Sequence, residues 1–172
     1  MIFSEQDAGS KSVVEARVAG EDHIWISIRS AHHQQCCHIA PSNHRKATHF
    51  YAFDDADKPG ETFLGIDLIL ISDEQAADIV DFVDRWKNKV GLICVNCEAG
   101  ISRSSGVALA LSEIINGHDS GIRSRPIYHP NQYVKDLIVK HGQRLATPHT
   151  PSWFKEAWNN ESNSQDGQLV RE

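Results

Sequence analysis

One run of the sequence constrains the fold more than any other. An apolar stretch over 90–96 leads through a short polar loop into an apolar segment over 104–116. A nearly all-apolar run of this length is typical of a strand buried on both faces of a parallel sheet. The second segment is apolar on almost every side and closes at Asn116 and Gly117, which predicts a buried helix. We therefore expect a central strand, a loop and a buried helix in that order.

Further strands are predicted from β-branched and aromatic runs that lie between polar turns. These runs lie at 13–18, 24–28 and 49–53. A short polar turn joins the first two, which predicts a hairpin or two adjacent strands. The segment 63–71 is also apolar, and its periodicity does not decide between helix and strand.

Two further helices are predicted from the signals at their ends. Ser72 is an N-cap candidate with Gln75 three residues later, and an apolar face follows as far as Trp86. The last helix is predicted from Pro130 to Gly142. These elements together predict the α/β fold class, with a central, mostly parallel sheet flanked by helices.

The chain has 172 residues, 40% of them hydrophobic, which is enough for one well-packed domain. We place this domain at 1–147 and a C-terminal extension, expected to be partly disordered, at 148–172. Three aromatic residues of the extension suit a short helical turn against the domain: Trp153, Phe154 and Trp158.

Charge and targeting signals limit which partners the protein can bind and which cellular compartment is expected. The net charge of −6 argues against general nucleic-acid binding and against anionic membranes. The chain shows neither a signal peptide nor an apolar span, so a cytoplasmic protein with four reduced cysteines is expected. The sequence leaves the oligomeric state open.

The loop between the central strand and the buried helix carries a thiol, Cys97, and a guanidinium, Arg103, at its two ends. Backbone amides and a helix N-terminus favour a bound anion and a thiolate at such a position. Gly100 allows a backbone conformation that a side chain would oppose, and the planar Arg103 group can hold two oxygens of one phosphate. The loop therefore suits phosphate-ester chemistry with Cys97 as nucleophile. The candidate phosphate-binding residues are Glu98, Ala99, Gly100, Ile101, Ser102 and Arg103.

The run Cys97-Glu98-Ala99-Gly100-Ile101-Ser102-Arg103-Ser104 resembles the Cys-x5-Arg-Ser/Thr signature of the protein tyrosine phosphatase superfamily, and it looks most like the dual-specificity branch. The resemblance implies phosphomonoester hydrolysis through a cysteinyl-phosphate, without metal or cofactor. Ser104 is a candidate hydrogen-bond donor to the sulfur, and the N-cap of the buried helix is its alternative role. A phosphorylated protein is the leading substrate, and a small phosphorylated metabolite or an RNA 5′ phosphate stays open.

One residue departs from the family pattern. The position before the nucleophile is usually a histidine, which helps to organise the loop and to keep the cysteine ionised, and here it is Asn96. Asparagine donates hydrogen bonds but carries no charge. We therefore expect a weaker phosphatase, and the alternative is a catalytically weak phospho-binding module of the same fold.

The resemblance also implies a general acid, an aspartate on another loop. Asp55 is preferred because it follows the predicted strand over 49–53 and precedes a proline-containing turn. Asp67 lies 30 residues before Cys97, near the spacing of compact relatives, whereas Asp55 lies 42 residues before it. An insertion over 60–71 accounts for the longer spacing. The other candidate aspartates are Asp54, Asp57 and Asp67.

Two other patterns compete with this interpretation. Cys94 and Cys97 form a Cys-x-x-Cys pair, but a thioredoxin-like motif places both cysteines at the start of a helix, whereas Cys94 falls inside the predicted strand. We interpret Cys94 as a core residue. The stretch 32–49 is rich in histidine and cysteine, which suit zinc, but its spacing matches no usual zinc module. Surface histidines beside buried thiols are the preferred interpretation of that stretch.

Overall fold

The computed structural model describes residues 1–33 and 37–143. Its strands are β1 (Ile2–Phe3), β2 (His23–Arg29), β3 (Arg45–Ala52), β4 (Thr62–Phe63), β5 (Ile66–Asp67) and β6 (Leu92–Asn96). Its helices are α1 (Glu5–Gly9), α2 (Lys11–Val18), α3 (Asp73–Trp86), α4 (Arg103–Asn116) and α5 (Gln132–Gly142). The extension at 148–172, with its three aromatic residues, lies outside the described residues.

Four strands form one parallel sheet in the order β1-β6-β2-β3. The predicted apolar strand, β6, lies in the interior of this sheet, with Asn96 at its carboxyl end opposite Ser27 of β2 and Phe3 of β1. Strands β4 and β5 form a separate antiparallel hairpin. The predicted parallel sheet and its central strand are confirmed.

Helices cover both faces of the sheet, as predicted. On one face, Ile24, Ile26 and Val95 are buried in a core that α3, α4 and α5 complete. On the other face, Trp25 and Cys94 are buried against α1 and α2. Successive side chains of a strand point to opposite faces, so neighbouring residues of β2 and β6 supply two separate cores.

The prediction of a strand over 13–18 is wrong, because this segment lies in the helix α2. Val14 and Val18 are spaced by one helical turn, and both are buried against the sheet, whereas Glu15, Ala16 and Arg17 are exposed. Packing of this one face outweighs the β-propensity of valine. No hairpin with β2 therefore forms, and the sequence reasoning also missed the short elements β1 and α1.

The other helix signals match the structure closely. Ser72 caps α3, and Gln75 completes the capping box. Helix α4 begins at Arg103 with Ser102 at the N-cap position, so the N-cap role considered for Ser104 is wrong. Helix α5 is capped by Asn131, one residue after the expected start at Pro130.

Two strand boundaries differ from the prediction. Strand β3 begins at Arg45 and pairs with β2 along its whole length, so the polar stretch before position 49 contributes to the sheet. The undecided segment 63–71 contributes to the β4–β5 hairpin and to an extended connection to α3. Among the described residues, no helix has the length and apolar character needed to span a bilayer.

Gly106 of α4 generates a prediction, because a Cβ there would lie 2.7 Å from the carbonyl oxygen of Asn131, a backbone atom that cannot rotate away. Alanine normally stabilises a helix interior over glycine by about 1 kcal/mol. We expect Gly106→Ala instead to lower the free energy of unfolding by about 1–3 kcal/mol, as overpacking does, measured by urea denaturation.

The matched control is Gly142→Ala in α5, where the added Cβ meets the flexible end of the Ile114 side chain. The terminal Cδ1 atom of Ile114 can shift more readily than a backbone carbonyl, so the loss in Gly142→Ala should be smaller. An equal or larger loss in Gly142→Ala would contradict the close packing of α4 against Asn131.

Candidate active site

The cysteine loop, residues 97–104, joins the carboxyl end of β6 to the first turn of α4. The Cys97 thiol is buried, with 2% of the residue exposed. The Gly100 N–H donates to its sulfur at 3.3 Å, and Ser104 Oγ lies 3.1 Å from the same sulfur. Both contacts strengthen when the sulfur carries negative charge. The structure therefore brings the predicted nucleophile and its predicted hydroxyl partner together.

Gly100 lies where only glycine fits. Its φ is +71°, and a Cβ would lie 2.7 Å from the Ser4 nitrogen and 2.8 Å from the Phe3 carbonyl carbon. The Glu5 N–H also donates to the Glu98 carbonyl at 2.9 Å. The loop is thus packed closely on β1 and α1, which supports its turned conformation.

Arg103 is almost completely buried, with 6% exposed. Its Nη1 donates to the Phe53 carbonyl at 3.0 Å, and its Nη2 donates to the Glu98 carboxylate at 2.5 Å. The Nε–H has no hydrogen-bond partner within the described part of the chain. A buried donor without a partner costs about 1–3 kcal/mol, so this atom is a strong candidate for a bound ligand oxygen.

The Glu98 side chain contacts groups that the sequence did not connect to it. One carboxylate oxygen binds Arg103, and the other lies 2.7 Å from His33 Nδ1. Burial acts to raise the pKa of Glu98, but the hydrogen bond and the charge of Arg103 outweigh it and hold the pKa below its ordinary value. Glu98 is therefore ionised at neutral pH and competes with any ligand anion for Arg103.

Asp55 lies directly beside the cysteine loop. Its Oδ1 accepts hydrogen bonds from Ser102 Oγ at 2.7 Å and from Asn131 Nδ2 at 2.9 Å. Asn131 also donates to the Ala56 carbonyl at 3.0 Å, while its Oδ1 accepts from the Val134 N–H and caps α5. The cap of one helix therefore holds the segment that carries Asp55.

Asp54 is structural. It is 3% exposed, and its carboxylate accepts from the Ser30 hydroxyl, from the Ala31 N–H at 3.0 Å and from the Ile69 N–H at 2.9 Å. Burial acts to raise the pKa of Asp54, but these hydrogen bonds outweigh it, and the pKa lies below its ordinary value. A fully bonded carboxylate that stays ionised is poorly suited to donate a proton.

The remaining aspartates lie in other surroundings. Asp57 is exposed in a turn, where its N–H donates to the Glu61 carboxylate at 2.8 Å. Asp67 is exposed in β5, and its carbonyl oxygen lies 3.2 Å from His32 Nε2. Asp55 is thus the candidate whose carboxylate contacts the cysteine loop, and its role as the general acid stays a prediction.

Asn96, which replaces the usual histidine, is completely buried on the face of the sheet that carries Trp25. Trp25 Nε1 donates to Asn96 Oδ1 at 2.7 Å, and Asn96 Nδ2 donates to Cys37 Sγ at 3.2 Å. Cys37 Sγ in turn lies 2.8 Å from Ser27 Oγ. Both ends of the amide have partners, so the surroundings of position 96 are built for asparagine.

The two cysteines of the Cys-x-x-Cys pair lie in separate cores, Cys94 with Trp25 and Cys97 with α4. Burial raises the pKa of Cys94 to about 11, so this thiol is protonated at neutral pH. Their separation disfavours a dithiol and agrees with the interpretation of Cys94 as a core residue.

The described histidines of the stretch 32–49 are dispersed. His32, His33, His44 and His49 lie beside four different carboxylates, those of Asp54, Glu98, Asp22 and Asp78. Within 1–33 and 37–143, no three histidine, cysteine or acidic residues group together as metal ligands. Cys36 lies outside the described residues.

Sequence reasoning missed several residues that shape the site, chiefly Asn131, Trp25 and Cys37. Asn131 falls inside the helix predicted from Pro130, whereas the helix begins at Gln132, so the N-cap role of Asn131 was missed although asparagine is a common N-cap residue. The contact of Asn131 with Asp55 joins residues that are 76 positions apart in the sequence, and that of Trp25 with Asn96 joins residues 71 positions apart. No local sequence pattern indicates either contact.

Comparison with known proteins finds the fold but no sequence relative. No protein-family model matches the chain, and no curated protein matches it. The human tyrosine phosphatase-like serine/threonine/tyrosine-interacting protein has a similar structure, with a TM-score of 0.55 and 18% identity over 81% of this chain and 88% of that chain. Human DUSP28 is also similar, with a TM-score of 0.55 and 18% identity over 85% and 89% of the two chains. The chain therefore has the fold of the dual-specificity phosphatases.

Proposed function

We propose that this protein hydrolyses phosphomonoesters through a cysteinyl-phosphate, as a tyrosine or dual-specificity protein phosphatase. One observation carries the proposal: at the carboxyl end of β6, a buried thiol, a buried arginine and an aspartate meet around one short loop. The arginine Nε–H has no partner among residues 1–33 and 37–143. The similar solved structures, which include human DUSP28, support this class of activity.

The proposed first step transfers the phosphoryl group to sulfur. The Cys97 thiolate attacks phosphorus in line, an S–P bond forms, and the P–O bond to the leaving group breaks. Asp55, in its protonated form, gives its proton to the leaving oxygen. Arg103 and the amides of residues 98–103 hold the equatorial oxygens as charge builds up on them.

The second step regenerates the enzyme. Asp55, now a carboxylate, takes a proton from water as the water oxygen attacks phosphorus, and the S–P bond breaks. The Ser104 hydroxyl, 3.1 Å from the sulfur, donates to the departing thiolate. All of these groups belong to the chain itself, so the proposed reaction needs no metal or cofactor.

A catalytically weak phospho-binding module is the second candidate. One feature of the site favours it: Asn96, unlike a histidine, cannot supply a positive charge beside Cys97. One similar solved structure is described as phosphatase-like and as an interacting protein. The missing charge weakens the nucleophile but removes no group of the loop that binds an oxyanion.

Cys97→Ser tests the reaction class. We expect the turnover of an aryl phosphate to fall at least about a thousandfold, because a neutral hydroxyl replaces the nucleophilic thiolate. Asp55→Asn should slow the hydrolysis of phenyl phosphate by about 100-fold or more, and that of nitrophenyl phosphate less, since a good leaving group needs little protonation. Steady-state kinetics measures both effects.

Asp57→Asn is the matched control, since Asp57 is exposed in the neighbouring turn, and its turnover should equal that of the wild type. Turnover that survives Cys97→Ser would exclude the cysteinyl mechanism, and an unaffected Asp55→Asn would exclude this acid. If the wild type binds vanadate tightly but shows no turnover that Cys97→Ser abolishes, the protein is the binding module instead.

The surroundings of Asn96 generate a second prediction. The Trp25 indole only donates, and it points at the side chain of residue 96, whereas a charged imidazolium offers two donors and no acceptor. A histidine introduced at 96 is therefore held neutral by Trp25. We expect Asn96→His alone to change kcat by less than about threefold. Trp25→Phe combined with Asn96→His should raise kcat about tenfold, because a positive charge beside Cys97 favours the thiolate.

Trp25→Phe alone is the control, because phenylalanine keeps a ring against Phe3 but removes the donor, and it should give no increase. Circular dichroism verifies that each variant folds. A gain in Asn96→His that equals the gain in the double variant would contradict the role assigned to Trp25.

A further inference from the structure

The hairpin β4–β5 and Ile69, two residues after its end, carry an exposed group of large apolar side chains. We name this group the apolar knob, and its members are Phe63, 66% exposed, Leu64, 87%, Ile66, 54%, and Ile69, 51%. Single exposed apolar residues are ordinary on protein surfaces, but four within seven positions form a patch that marks an interaction site. The patch has no part in the chemistry proposed above.

The tip of the hairpin places an apolar residue where the backbone disfavours one. Leu64 has φ +51° and Gly65 has φ +78°, so both turn residues are left-handed. Asparagine or glycine is the usual residue at the position of Leu64, because a branched side chain is strained there. Leucine therefore serves neither the turn nor the core, which is consistent with a role in contact with another molecule.

The apolar knob has a defined position beside the proposed acid. The Asp54 N–H donates to the Ile69 carbonyl at 2.6 Å, and the Ile69 N–H donates to the Asp54 carboxylate at 2.9 Å. Asp54 directly precedes Asp55, so this pair of hydrogen bonds ties the knob to the edge of the candidate site. A substrate segment that leaves the site beside Asp55 would pass close to Ile69.

Charge narrows the choice of partner. Asp54 is buried and fully bonded, but residues 55–67 carry four further carboxylates against one lysine, a net charge of −3: Asp55, Asp57, Glu61 and Asp67 against Lys58. This charge repels an anionic lipid surface and the backbone of RNA. It attracts a polypeptide with lysine or arginine near its apolar residues.

We propose that the apolar knob docks the polypeptide of a phosphoprotein substrate, through apolar side chains of the substrate that are flanked by basic residues and lie close to its phosphorylated residue. This inference rests on the proposed function and names its substrate class, since a small phosphorylated metabolite has no segment long enough to reach the knob.

The test uses the full chain with Phe63→Ser and Leu64→Asn combined. The second change removes the apolar side chain and relieves the left-handed strain, so the hairpin retains its turn. Three substrates are compared: an aryl phosphate and two phosphotyrosyl peptides of equal length, one with leucine and arginine around the phosphotyrosine and one with aspartate and serine. The control is Phe50→Ser, an exposed aromatic residue of β3 that is not part of the knob.

We expect the double variant to hydrolyse the aryl phosphate as the wild type does, while its kcat/KM for the apolar, basic peptide falls roughly tenfold through KM. The acidic peptide should be a poor substrate for both proteins, and Phe50→Ser should behave as the wild type. The binding of both peptides is also measured by fluorescence anisotropy in a Cys97→Ser background, so the docking step is read even without turnover.

Failure of the two proposals is distinguishable. If the wild type shows no turnover that Cys97→Ser abolishes, the proposed function is refuted. The peptide dissociation constants still test the apolar knob in that case. Equal KM and equal dissociation constants in the wild type and the double variant overturn the docking proposal, whatever the turnover. Concentration-dependent dimers that disappear in the double variant, with peptide binding unchanged, assign the knob to self-association and also overturn it.

Discussion

The buried guanidinium of Arg103 is the interaction on which the rest of the site depends. A charge with 6% exposure is stable only where its surroundings supply partners, and here the Phe53 carbonyl and the Glu98 carboxylate supply them. The first contact joins α4 to the segment that leads into Asp55, and the second lies within the cysteine loop. Thiol, arginine and aspartate therefore hold their places together, and within the described part of the chain the Arg103 Nε–H stays without a partner and so can bind a ligand.

Many of the strands and helices that carry the site could be predicted from sequence, because their signals are local. The apolar run of β6, the capping box at Ser72 and the left-handed Gly117 that ends α4 each depend on a few neighbouring residues. The segment 13–18 was mispredicted because the β-propensity of its valines is also local, whereas the sheet face that buries Val14 and Val18 is not. Tertiary packing decides such segments.

Part of the candidate site could likewise be predicted from local sequence, and part depends on contacts between distant residues. The spacing within one loop is enough to predict that four residues lie together: Cys97, Gly100, Arg103 and Ser104. Asp55 is predicted from its position after a strand. The contacts that tune them come from far along the chain: Asn131 on Asp55 and Trp25 on Asn96. The hydrogen bond from Trp25 changes the interpretation of Asn96. It is part of a satisfied buried network rather than a simple loss of charge, so its effect on the thiol depends on Trp25.

The central claim is that Cys97 carries the phosphoryl group during the reaction. Rapid acid quenching during turnover of an aryl phosphate, followed by proteolysis and mass spectrometry, tests it most directly. We expect one phosphoryl group on the peptide that contains Cys97, present during turnover and lost when the substrate is exhausted. Turnover without a phosphoryl group on Cys97, or with one on any other residue, would contradict it.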